Sequence, residues 1–99
     1  MAEPRTRPEE APAVLVRLPT ALTILFPGTP PRVELRAGTV AEAIDGLNER
    51  WPGMGDRIRD TRPAIRRHIN VFVDGKRAGL DTPLAPGTEV FVLTAISGG

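Results

Sequence analysis

Apolar and polar residues alternate in the stretch AVLVRLP, the period of a strand with one buried face, and Pro19 ends it, so a first strand is expected from about Ala13 to Leu18. The same period returns in RVELRAG, where Val33 and Leu35 alternate with charged residues, predicting the second strand of a hairpin between Arg32 and Gly38. Between them TALTILFPGTPP is apolar but bracketed by Pro19, Pro27, Pro30 and Pro31, and it reads as a turn or irregular connection packed on the core.

At Thr39 the period changes. In TVAEAIDGLNERWPG the residues Val40, Ala43, Ile44, Leu47 and Trp51 recur at helical spacing and give one apolar face. Thr39 followed three residues later by Glu42 is a capping box, and Pro52-Gly53 stops the helix. A short helical turn is expected around Asp56 to Asp60. Alternation resumes in INVFV, a strand from about Ile69 to Val73 with Asp74-Gly75 as its turn, followed by a short strand near Arg77 to Leu80. DTPLAPGTE is loop, and the last strand runs from Glu89 to Ala95.

Two strands, one long helix and two or three later strands supply a single crossover helix, too few for a doubly wound sheet. The expected fold class is α+β, a mixed sheet of four or five strands wrapped on one main helix, with the last strand parallel to the first in mid-sheet. That arrangement is the β-grasp.

Composition adjusts this picture at the ends. Met1 to Pro12 is proline-rich, charged and almost free of large apolar groups, so residues 1–12 read as a disordered tail, 13–95 as the domain and 96–99 as a flexible C-terminal segment. The N-terminus lacks the apolar centre of a signal peptide and no stretch approaches a membrane span, so a cytoplasmic location is expected. A net charge of +1 provides no field for nucleic acid or anionic lipid. With no cysteine there is no disulfide, thiolate metal site or thiol nucleophile.

Side chains suited to catalysis are scarce. Arg57, Arg59, Arg62, Arg66, Arg67 and His68 form a basic cluster diluted by Asp56 and Asp60, without interleaved aromatic residues, and read as a solvated, partner-facing edge. His68, the single histidine, has no second ligand or triad partner in the pattern, and the pairs Glu9-Glu10 and Asp56-Asp60 lack a pocket-forming context. No general acid, general base or metal ligand is assigned.

The order of elements, the strand INVFVDGKR and above all the terminal VFVLTAISGG resemble the ubiquitin-like sulfur carriers of the MoaD, ThiS and CysO group, with CysO the nearest likeness, over about Ala13 to Gly99. That resemblance implies a protein cosubstrate, not an enzyme. Gly99 would be adenylated and converted to a thiocarboxylate, with Ala95, Ile96, Ser97 and Gly98 as the threaded tail, whose end at Gly98-Gly99 lacks any Cβ and so allows close backbone approach. It implies no bound cofactor, with ATP used by an activating partner, an adenylyltransferase and sulfurtransferase of the MoeB, ThiF or MoeZ type. A sulfur-accepting synthase would be the second partner. The acceptor is left open among cysteine, molybdopterin, thiamin and thiolated secondary metabolites.

Period-2 alternation places Ile69, Val71 and Val73 on one face of their strand and Asn70 and Phe72 on the other; Phe91 and Leu93 likewise lie opposite Val90 and Val92. In the family the outward face receives the activating enzyme, which makes Phe72, Phe91 and Leu93 the expected docking patch. Alternation does not fix polarity, so a cover formed by TALTILF, or an inverted face, stands as the alternative. Two other functions compete: a protein modifier joined to lysines through Gly99, and a β-grasp binding module whose tail has no chemistry. Lys76, the sole lysine, argues against branched chains built on the protein itself.

Overall fold

The computed structural model describes residues 11–62 and 64–94. The elements follow as β1 (Ala13–Arg17), α1 (Thr20–Leu25), β2 (Arg32–Arg36), α2 (Val40–Arg50), α3 (Met54–Ile58), β3 (Arg59–Asp60), β4 (Ala64–Ile65), β5 (Ile69–Val73), β6 (Lys76–Arg77) and β7 (Glu89–Thr94). Five strands form one sheet in the order β2-β1-β7-β5-β6, while β3 and β4 make a small separate ladder. β7 is parallel to β1, and the neighbouring pairs β1–β2, β5–β7 and β5–β6 are antiparallel. The expected β-grasp topology is therefore present, with the last strand in the middle.

The core forms where the two periods meet. Val14 and Val16 of β1, Val33 and Leu35 of β2, Val71 and Val73 of β5, and Val90 and Val92 of β7 are all buried, and so are Val40, Ala43, Ile44 and Leu47 of α2. The face of the sheet holding Ile69, Val71 and Val73 is thus the inner one. Trp51, expected on the apolar stripe of α2, is the residue that closes the helix and is only partly buried against the core.

The start of α2 is held twice. The Thr39 hydroxyl accepts from the Glu42 amide at 3.2 Å, as expected, but the Glu42 carboxylate reaches back to the Gly38 amide at 2.7 Å, one residue before the cap. The Val40 and Ala41 amides, orphans of the first turn, donate to the carbonyls of Thr82 and Leu80. The loop after β6 therefore finishes the cap that the local sequence began.

Four expectations change. The short strand expected near Arg77 to Leu80 is Lys76–Arg77, paired with Phe72 and Val73 directly after the turn. TALTIL is a helix: Pro19 precedes it with extended φ/ψ, and burial of Leu22 in the core repays winding a segment that proline punctuation had suggested was irregular. The turn expected at Asp56 to Asp60 begins two residues earlier, with buried Met54 and Ile58, and Arg59–Asp60 leave it as strand. Ala11, assigned to the tail, is 2% exposed, and the Arg36 guanidinium donates to its carbonyl, so ordered packing begins before Ala13. The turn at Asp74-Gly75 is as expected, with φ of 55° and 79°, the left-handed pair that suits a two-residue hairpin.

Candidate functional site

β7 buries Val90 and Val92 against the core, and its outward set is Glu89, Phe91 and Leu93. Phe91 lies directly across from Phe72 of β5, and Leu93 across from Asn70. Both phenylalanines are half-buried and Leu93 is 44% exposed. The three residues expected to form a docking patch are thus neighbours on the face away from α2, and the polarity of the alternation is the one the sequence reading adopted.

Register extends this pair into a row. Arg17 of β1 is the partner of Phe91, with its guanidinium 5.3 Å over the ring, and Arg77 of β6 is the partner of Phe72. Arg17 also meets Glu89 at 3.1 Å, and Arg77 donates to Asn70. Two aromatic rings flanked by two oriented guanidiniums make an amphipathic strip across the sheet. The flanking cations were not legible before pairing was known, because Arg17 and Phe91 are distant in sequence.

The strand directions gather functional features at one end. β1 and β7 both finish there, β5 begins there, and Ile69 pairs with Thr94. The chain beyond Thr94 consequently departs from the edge where Leu93 is exposed. Ala95, Ile96, Ser97, Gly98 and Gly99, the expected tail and reactive terminus, lie outside the described residues. α1, which follows β1, adds Ile24 and Leu25, 70% and 51% exposed, which the reading of this segment as an irregular connection had missed.

The basic cluster divides. Arg59 pairs with Asp45 and Arg62 with Asp60, while Arg57, Arg66 and His68 line a cleft with Phe26, Gly53 and Asp56. The Arg62 guanidinium and main chain both donate to the Asp60 carboxylate and hold its pKa below the ordinary aspartate value. Among the described residues no group of three or more His, Asp or Glu could hold a metal, and no helix is long and apolar enough to cross a membrane.

Residues 24–99 match the model of the ThiS family. The chain belongs to the ThiS family. ThiS-family proteins are sulfur-carrier cosubstrates and not enzymes. A chain in the crystal structure of the Amycolatopsis orientalis BexX/CysO complex is similar at 32% identity and a TM-score of 0.79, over 88% of this chain and all of that one. CysO of Mycobacterium tuberculosis is similar at 27% identity and a TM-score of 0.75, over 84% and 99% of the two chains. SAMP1 of Haloferax volcanii gives 27% identity and a TM-score of 0.74, over 88% and 99%. No curated protein sequence matches it. These likenesses give this ThiS-family chain a ubiquitin-like β-grasp fold with CysO among its structural neighbours.

Proposed function

We propose that Gly99 is the reactive atom group of this ThiS-family chain. Its carboxylate attacks the α-phosphate of ATP in a partner adenylyltransferase, releasing pyrophosphate and leaving an acyl adenylate. A persulfide on the partner displaces AMP to give an acyl disulfide, and a thiol attacks its outer sulfur, forming a new disulfide with the partner and releasing the thiocarboxylate that donates sulfur in a biosynthetic reaction. Family membership over residues 24–99 carries this reading, because the matched span includes the terminal glycines. Phe72, Phe91 and Leu93 are the grip: an apolar strip bounded by Arg17 and Arg77 gives a partner both buried area and orientation. Ala95 to Gly98 thread the partner's channel. ATP belongs to that partner, and the carrier needs no cofactor of its own.

Likeness to CysO favours cysteine biosynthesis as the pathway, and the BexX/CysO complex favours a second partner protein for the charged carrier. Intact-mass measurement on protein isolated from cells tests the chemistry. The expected species carries sulfur in place of one terminal oxygen and reacts with a thiol-directed alkylating reagent; deletion of Gly99 removes both signals. A protein that never acquires the label when its adenylyltransferase and a sulfur source are supplied refutes the reading. Similarity to SAMP1 supports a second use, conjugation of Gly99 to lysines of other proteins. No Lys or Arg follows Arg77, so trypsin would leave the whole segment Ala78 to Gly99 on any modified lysine, and a search for that branch decides it.

A further inference from the structure

We propose that the cleft bounded by Phe26, Gly53, Arg57, Arg66 and His68 binds a phosphate or diphosphate group. The cleft measures about 620 Å³ and opens at the end of the sheet where β5 begins. Its walls come from Phe26 at the end of α1, from Gly53 in the turn between α2 and α3, from Asp56 and Arg57 of α3, and from the turn preceding β5. The proposal does not depend on the chemistry assigned to Gly99.

Charge is what distinguishes this cleft from the surrounding basic surface. Arg59 and Arg62 each have their own carboxylate, Asp45 and Asp60. Arg57 and Arg66 have no such ion pair among the described residues, and both turn to the same cavity. Arg66 donates through Nε to the main-chain carbonyl of Asp56, which fixes the plane of its guanidinium and leaves the terminal nitrogens for a ligand. Asp56 also lines the cleft, so two guanidiniums face one carboxylate, and His68 supplies a further donor in either protonation state. A guanidinium fork suits tetrahedral oxyanions, which accept two parallel hydrogen bonds.

The apolar wall suggests what the phosphate is attached to. Gly53 sits at φ 99°, a left-handed conformation that favours glycine, and it places the turn within van der Waals reach of the Phe26 ring. Phe26 is only partly buried, leaving room for a planar group beside it.

Amide NMR titration of the full chain at constant ionic strength tests this, with sodium pyrophosphate, AMP and a hexaglutamate peptide as probes. Saturable shifts at Gly53, Arg57, Arg66 and His68 with pyrophosphate or AMP are expected. Arg57→Ala and Arg66→Ala should each weaken binding about tenfold, the loss of one hydrogen bond between charged groups. Asp56→Asn should tighten it, a gain that misfolding cannot imitate, while Arg32→Ala on the far edge strand should change nothing. Pyrophosphate and AMP binding alike identifies the phosphate as the ligand; tighter AMP binding with shifts of the Phe26 ring signals identifies a nucleotide. Absence of saturable shifts, equal weakening by Arg32→Ala, or tighter binding of hexaglutamate overturns the proposal, the last in favour of an acidic protein segment.

Discussion

Asn48 carries more of this fold than its place on α2 suggests. Its side-chain oxygen accepts from the Gly53 amide at 3.0 Å and from the Gly55 amide at 2.9 Å, closing the turn between α2 and α3. Asn48→Ala strips the acceptor from both donors, and Gly55 is buried, so water replaces the lost partners poorly. At roughly 1 kcal/mol for each net hydrogen bond, with an added penalty for a buried donor left unpaired, the expected cost is about 2 to 3 kcal/mol. For a chain of this size each kcal/mol lowers Tm by about 4–8 °C, so a drop of at least ~8 °C should be seen in a thermal melt. Urea unfolding with an unchanged slope gives the free energy, and hydrogen exchange should quicken first at Gly53 and Gly55. Asn48→Asp keeps an acceptor in place and should recover most of the loss. A destabilisation below about 0.5 kcal/mol, the level of an ordinary surface substitution, would refute the assignment.

Thr39→Ala removes the hydroxyl that accepts from Glu42 and should cost about 1 kcal/mol in urea unfolding, although Glu42 and the loop carbonyls of Leu80 and Thr82 keep the helix from fraying completely. Leu93→Ser should leave stability within about 0.5 kcal/mol, because the side chain is exposed, yet raise KM for adenylation about tenfold with kcat kept. Arg62→Ala should return the Asp60 pKa toward its ordinary value in an NMR titration, since the hydrogen bonds from Arg62 are what lower it. Because the folded-state pKa is depressed, the stabilisation from that pair is present above the unfolded aspartate value and is lost as pH falls through the folded one, so the variant should flatten the acid limb of the stability profile.

Alternation and helical spacing are local properties, and the elements built on them were legible: β5 and β7 with their inward valines, α2 with Val40, Ala43, Ile44 and Leu47, and the turn at Asp74-Gly75. Mid-sheet placement of β7 followed from having one crossover helix. What could not be read depended on contacts distant in the chain. TALTIL carries a single core anchor, Leu22, and its helix forms because the sheet and α2 supply a place for that side chain. Stacking of Arg17 on Phe91 and the division of the basic cluster into paired and unpaired arginines need strand register and the fold of the α2–α3 turn. Phe72, Phe91 and Leu93 were legible as a set because a period of two groups them; their two cationic neighbours were not.

β7 lies between two partners, parallel to β1 over Glu89–Phe91 and antiparallel to β5 over Val90–Thr94, so that Val90 and Phe91 are paired on both sides. A pull on Thr94 along the strand is therefore borne in shear by two ladders together, so that several bonds must give way at once, whereas an edge strand would peel bond by bond. Strain introduced where the chain leaves the domain is spread across the sheet. Tension applied at Thr94 thus meets a rigid handle instead of unravelling the domain.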